Sequence, residues 1–334
     1  MPTVDQHLYD RGLFGDLYRR DPTSGAVDVW LGALAKKFRW EPFTVLDARQ
    51  GKWQERKQAW LELGIQSEVG RQSDPTGKGD VNRGTMTCIS NGTSPDIAAR
   101  FAAAGNTTSV FDPVLCELMY EWFCPPGGQV VDGFAGGSVR GIVAAYTGRT
   151  YWGCELRPEQ IHANRAQANQ LCYAQVQHPT WVCGDARVRL VQAPEADFIL
   201  TCPPYGNLEL YSTLPGDLSN MAWPDFCQAY QQIIKQMAQR LRPNRFACIV
   251  VGDYRDKETG YYRNFPAMTQ IFFRQAGLQL YNEGILLTAV GSLPVRMGHF
   301  NRSRKLGKTH QNVLLFCKGS WRKAAAACEN ETTP

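Results

Sequence analysis

The sequence predicts an α/β protein on a mostly parallel sheet, with an antiparallel strand pair at its C-terminal end and an N-terminal extension. Three observations predict it. From Phe111 onward, apolar runs of strand length alternate with helical segments. Those runs stop at clusters of Gly, Pro and Asp, where chains turn between elements. After the last helical segment, two strand-like runs follow each other with no helical pattern between them, which suggests an antiparallel pair at the sheet edge.

Taken in order, residues 1 to about 65 are mixed. They hold one helical stretch, WQERKQAWLELGI, in which Trp53, Trp60, Leu61 and Ile65 can share an apolar packing face. From Gln66 to Ser109 the composition shifts to Gly, Ser, Thr, Asn and Asp, which predicts a long loop. Residues 1–110 are thus expected to form an extension of mixed helix and loop, followed by the main domain over 111–319. The expected strands are Gln129–Phe134, Thr150–Glu155, Thr180–Cys183, Asp197–Thr201 and Ala247–Gly252, then Leu278–Ala289 and Gln311–Lys318. Helices are expected at Ser138–Thr147, Pro158–Gln170, Pro224–Leu241 and Phe265–Gln275, two of them opening on proline, whose missing N–H costs nothing in a first turn. The tail, 320–334, reads as loose.

A chain of 334 residues that is 43% hydrophobic can bury one large core, or a core and an appendage. Its formal charge of +5 is compatible with a polyanionic partner without requiring one. The 11 cysteines are scattered and never stand as Cys-x-x-Cys, which argues for a reducing compartment and no structural zinc. The first residues lack an apolar signal core and no stretch of 18 apolar residues occurs, so a cytoplasmic protein with no membrane partner is expected.

Chemistry is concentrated at four places. In VVDGFAGGSVRG, Val130 to Gly141, a strand runs into glycines and then a helix, which lets backbone approach a ligand at the carboxyl edge of a parallel sheet; dinucleotide sites and plain tight turns use the same device. The next strand ends in Glu155, about twenty residues beyond the glycines, where a carboxylate can accept from both hydroxyls of a ribose. Asp185 follows the third strand and places a second acid at that edge. The fourth strand stops at Cys202-Pro203-Pro204-Tyr205. Two prolines cannot serve a sheet ladder, so the chain must leave the sheet in a rigid turn that presents carbonyls and an aromatic face. Tyr205 could stack on a flipped base while the carbonyls of Cys202 and Pro203 accept from its amino group.

These motifs, in this order, resemble the DNA amino-methyltransferases that modify adenine N6 or cytosine N4. The resemblance covers Phe111 to Lys318 and is nearest to methylases of bacteriophages and prophages. It implies a class I S-adenosylmethionine-dependent (Rossmann-like) fold, S-adenosylmethionine as cofactor, no metal, DNA as partner, and the cytoplasm, a host's if phage-encoded, as location. Phe111-Asp112-Pro113 resembles the family segment that contacts the methionine part of the cofactor. Asp132, Phe134, Gly136 and Gly137 match the cofactor loop, Glu155 the ribose ligand, Asp185 the residue near the adenine, and Cys202, Pro203, Pro204 and Tyr205 the catalytic loop. Two departures stand out. Gly133 replaces the usual proline, which should loosen the loop. Cys202 replaces Asp, Asn or Ser; small and neutral, it tilts the reading slightly toward cytosine, although a thiol is a poor acceptor.

Three other readings compete. Cytosine C5 methylation uses a cysteine nucleophile, but that class has proline before the cysteine rather than after it. Guanine N2 methylation of RNA uses a similar Pro-Pro-aromatic loop. A nucleic-acid-binding protein that lost its chemistry would not need Glu155, Asp185 and Tyr205. Finally, RMGHFNRSRKLGK, between the last two strands, holds Arg296, Arg302, Arg304, Lys305 and Lys308 without an acid, beside His299 and Phe300, and is expected to contact DNA phosphates.

Overall fold

The computed structural model describes residues 38–65, 111–172, 177–208, 210–288 and 300–329. The long loop expected over Gln66–Ser109, together with Arg296 and His299, lies outside the described residues.

Eight strands form one sheet: β1 (Val45–Asp47), β2 (Gln129–Asp132), β3 (Thr150–Glu155), β4 (Thr180–Cys183), β5 (Ala196–Thr201), β6 (Leu241–Val251), β7 (Gln279–Leu287) and β8 (His310–Lys318). Their order is β1-β7-β8-β6-β5-β2-β3-β4. Every neighbouring pair is parallel except β6–β8 and β7–β8, so β8 alone runs against the rest. This is the mostly parallel, Rossmann-like sheet with an antiparallel C-terminal pair expected of a class I methyltransferase. The helices are α1 (Gly51–Glu62), α2 (Pro113–Phe123), α3 (Val139–Tyr146), α4 (Pro158–Leu171), α5 (Ala186–Arg189), α6 (Trp223–Arg240), α7 (Phe265–Gln275) and α8 (Trp321–Ala327). Proline stands in the first turn of α2, α4, α6 and α7. Two apolar cores, one on each face, sandwich the sheet; Phe198, Leu200 and Phe246 face one, and Ile199, Ala247 and Ile249 the other, as period-two alternation requires. No helix among the described residues is long and apolar enough to cross a membrane.

Four local expectations are corrected. The antiparallel pair is not at the edge, because β1, from the N-terminal extension, adds in parallel beyond β7, Val45 opposite Ile285. The extension is therefore part of the sheet as well as helix and loop. Helix α1 forms, yet its packing face is not wholly apolar. Leu61 is exposed, whereas Arg56 is buried and ion-paired with the fully buried Glu117 of α2, which also accepts from Trp60 Nε1 at 3.1 Å. The connection between β7 and β8 contains a helical turn at residues 300–303 where none was expected. The tail is not loose over residues 321–327, since α8 packs the buried Ala324 on the core and stacks Trp321 on Tyr281 at 6.0 Å.

Candidate active site

Chain order makes β2 the point where the sheet changes direction: β3 and β4 build outward on one side of it, β5 and β6 on the other. In open parallel sheets, ligands bind in the crevice outside the carboxyl ends at such a switch. The glycine loop follows β2 and the Cys-Pro-Pro-Tyr turn follows β5, so the two most informative motifs stand on neighbouring strands at that crevice. The carboxyl ends of β3, β4 and β6 bring Glu155, Asp185 and Gly252 to the same edge.

Asp132, expected among the cofactor ligands, is wholly buried and faces inward. Its carboxylate accepts from Thr201 Oγ1 at 2.5 Å, from Tyr151 Oη at 2.7 Å and from the Phe134 N–H at 3.0 Å, and pairs with Arg140 Nε at 2.6 Å. Thr201 immediately precedes Cys202, so this one carboxylate ties the glycine loop to the Cys-Pro-Pro-Tyr turn. Arg140 completes the tie. Its Nη2 donates to the carbonyls of Phe134 (2.6 Å) and Ala135 (2.9 Å), and its guanidinium lies 4.5 Å from the centre of the Phe111 ring. Burial works against the Arg140 charge, but the Asp132 carboxylate outweighs it and holds the guanidinium protonated well beyond its ordinary range. Arg140 stands inside the quoted glycine motif, yet sequence reasoning gave it no part.

The bonds of Arg140 hold the loop on either side of Gly133. A Cβ built at Gly133 would lie 2.8 Å from Met237 Sδ and 3.3 Å from Ile233 Cγ2, both on α6, so a larger residue there would require these side chains to shift.

Glu155 is 12% exposed at its side chain. One oxygen accepts from the N–H of Gly136 at 3.0 Å, and the other accepts from the N–H of Arg157 at 3.0 Å and from its Nε at 3.3 Å. Gly136 has φ +53°, a left-handed conformation that turns its N–H toward Glu155. Gly137 follows it, and Asn164 Nδ2 donates to the Gly136 carbonyl at 2.8 Å. Asp185 caps α5 through the Arg187 N–H at 2.8 Å and is gripped by the Arg187 side chain, 2.6 Å from Nη2 to Oδ2. Asp112 caps α2, accepting from the N–H groups of Val114 at 2.9 Å and Leu115 at 3.3 Å, and is also held by Trp53 Nε1 and Lys57 Nζ, each at 3.2 Å, from the extension. The expected cofactor residues therefore divide: Phe111, Phe134, Gly136, Gly137 and Glu155 gather around the glycine loop, while Asp132, Asp112 and Asp185 are held by protein partners.

In the Cys-Pro-Pro-Tyr turn, Pro203 is buried, and Cys202, Pro204 and Tyr205 are partly so. Tyr205 stacks on Tyr254 with ring centres 6.4 Å apart and meets Phe265 edge-on at 5.8 Å. Its hydroxyl accepts from Gln311 Nε2 at 2.7 Å and lies 3.9 Å from Cys202 Sγ. Burial, then the neighbouring Cys202, pushes the Tyr205 pKa far above the usual phenol value, so the hydroxyl stays protonated. A Cβ built on Gly252 would lie 3.7 Å from the Tyr205 ring and 3.8 Å from Lys308 Cε, so the basic segment reaches the turn. Arg302, Arg304 and Lys305 are exposed; Lys308 is half-buried, and burial lowers its pKa against the opposing pull of Asp253. Sequence reasoning missed both Tyr254 and Gln311: Tyr254 stands just beyond a strand end in VGDY, but nothing local tied it to Tyr205, and nothing local marked Gln311. Among the described residues no group of three or more His, Cys, Asp or Glu could hold a metal ion.

No family model matches the sequence, and no curated protein matches it. Solved structures overlap it in part. TrmN from Thermus thermophilus is 18% identical with a TM-score of 0.41, over 62% of this chain and 48% of that one, so the chain spans about half of TrmN. A TehB-like SAM-dependent methyltransferase from Corynebacterium glutamicum is 18% identical with a TM-score of 0.39, over 66% and 93%. A SAM-dependent methyltransferase from Methanosarcina mazei is 13% identical with a TM-score of 0.41, over 60% and 97%. At these values the overlaps assign this chain neither a substrate nor a reaction.

Proposed function

We propose that the chain transfers a methyl group from S-adenosylmethionine to an exocyclic amine of a DNA base, cytosine N4 or adenine N6, taken out of the duplex. The observation that carries this reading is the meeting of the glycine loop after β2 and Cys202-Pro203-Pro204-Tyr205 after β5 at the switch point of the sheet.

The residues suit such a cofactor. Glu155 would take the ribose hydroxyls, the backbone from Phe134 to Gly137 and the Phe111 ring would flank the amino-acid part, and Asp185 would lie near the adenine. Arg140 is committed to Asp132 and two loop carbonyls, so it brings no free positive charge to the site. Bound there, S-adenosylmethionine supplies a methyl group on a positively charged sulfur.

An exocyclic amine is a weak nucleophile, because its lone pair is delocalised into the ring. The carbonyls of Cys202 and Pro203 would accept hydrogen bonds from its two N–H groups, which favours a pyramidal nitrogen with its lone pair free to attack. Tyr205 holds the base by stacking. Its protonated hydroxyl and its bond to Gln311 make it a wall rather than a base. Positioning and electrostatics do the work.

Tyr205→Ala should abolish or strongly slow methyl transfer and leave cofactor binding nearly unchanged, since stacking of this kind is worth about 1–3 kcal/mol. Tyr205→Phe, which keeps the ring and its packing on Tyr254 and Phe265, should retain most activity and serves as the folding control. Tritium transfer and titration calorimetry measure the two effects. Normal turnover of Tyr205→Ala would remove the stacking role, and transfer to RNA guanine without transfer to DNA would move the reading to RNA.

A further inference from the structure

Between β6 and α7 the chain builds a braced arch. Within it, the Asp256 N–H donates to the Tyr261 carbonyl at 2.9 Å, the Gly260 N–H to the Asp256 carbonyl at 3.0 Å and the Arg263 N–H to the Tyr254 carbonyl at 2.9 Å, while Arg255 and Tyr262 pair in antiparallel. The Asp256 carboxylate accepts from the N–H groups of Thr259 at 2.6 Å and Glu258 at 3.0 Å and is ion-paired with Arg263. Local bonds thus fix the arch with little apolar burial. Its tyrosines point to solvent: Tyr261 is 77% exposed and Tyr262 40%, the latter with the Arg255 guanidinium 3.9 Å over its ring.

The arch stands beside the catalytic turn. Lys257 Nζ donates to the Asn207 carbonyl at 2.7 Å, two residues past Tyr205. Arg263 lies 4.7 Å over Trp223, which meets the edge of Tyr254, the stacking partner of Tyr205. On the other side, a Cβ built on Gly260 would lie 3.1 Å from Lys305 Nζ, so the arch touches the basic segment. Arch and basic segment together carry seven Lys or Arg residues in their described parts, against Asp253, Asp256 and Glu258. Asp253 caps the Phe265 N–H at 3.2 Å and Asp256 is paired, so Glu258 is the one exposed acid among the described residues of a face that is otherwise basic and aromatic.

We propose that this arch is a second DNA contact, in which Tyr261 stacks on a base exposed when the target nucleotide leaves the duplex, while Arg255 and Lys305 meet the flanking phosphates. Such an aromatic and cationic surface fits an unpaired strand, because every base offers a π-face and every nucleotide a phosphate. The inference rests on the reading of the chain as a DNA methyltransferase.

The test uses the full-length protein and a duplex containing the methylated sequence, identified from the product, with 2-aminopurine next to the target nucleotide. Tyr261→Ala should bind this duplex about 5- to 100-fold more weakly. It should also change the 2-aminopurine fluorescence of the complex and leave S-adenosylmethionine affinity unchanged; Tyr261→Trp should restore both DNA readouts. If wild type methylates DNA and Tyr261→Ala matches it in affinity and fluorescence, the arch contact is overturned and the methyltransferase reading stands. If wild type neither binds nor methylates DNA, both fall.

Discussion

Glu155 shows what a single side chain contributes at this edge. It holds the Gly136 N–H at 3.0 Å and so shapes the loop; on the proposed reading it also takes the ribose of the cofactor. Glu155→Ala should weaken S-adenosylmethionine binding by about 1.5–3 kcal/mol, the range for hydrogen bonds to a charged partner, as read by titration calorimetry. Undiminished affinity would remove Glu155 from the site. The sequence made Glu155 legible because its distance from the glycines is itself informative. Asp132 was legible only as an acid at a strand end; its inward turn depends on Arg140, Tyr151 and Thr201, which are distant in sequence or unremarkable there. Gly133 was visible as a departure, but its closeness to Met237 and Ile233 needed the position of α6.

Among the elements, the start of β2 is pinned to its neighbours by Asp197 of β5. That carboxylate accepts from the Gln129 N–H at 3.1 Å, Arg242 Nη1 at 2.7 Å and Arg245 Nε at 3.0 Å. Burial opposes its charge, and the Gln129 N–H and the two arginines prevail, so its pKa in the fold lies below the ordinary 3.8. A carboxylate with a depressed native pKa stabilises the fold above its unfolded pKa, and that contribution fades as pH falls through the native value. Asp197→Asn should therefore cost about 1–3 kcal/mol in urea unfolding near neutral pH. The deficit should shrink as pH falls below 3.8. A deficit independent of pH would mean that shape rather than charge is at work. Strands β2 to β5 were legible because each is an apolar run closed by Gly, Pro or Asp. Strand β1 was not, since three residues carry no periodicity and its place depends on the edge that β7 leaves open. Helix α8 was missed for a similar reason: its alanines show no stripe, and only the packing of Ala324 and Trp321 fixes it.

For the whole molecule, parallel strands gather the glycine loop, Glu155, Asp185, the Cys-Pro-Pro-Tyr turn and the connection between β7 and β8 at one edge. That convergence was legible in outline, because a parallel sheet sends every strand end the same way. The aromatic surround of Tyr205 was not, since Tyr254, Phe265 and Gln311 reach it from three other elements. Replacing Arg302, Arg304 and Lys305 together by alanine should weaken DNA binding across sequences and lower its salt slope by about 2.7, at roughly 0.9 per lost phosphate contact. Cofactor affinity should not change. Retention of both affinity and slope would make the segment a solvated loop and turn attention to the N-terminal extension. The central claim, methyl transfer to an exocyclic amine, is tested most directly by incubating the protein with DNA and methyl-labelled S-adenosylmethionine, digesting the DNA to nucleosides and identifying the labelled product by mass spectrometry. The expected product is N4-methylcytidine or N6-methyladenosine in the deoxy series; a product methylated at cytosine C5, or no labelled nucleoside at all, would rule out transfer to an exocyclic amine.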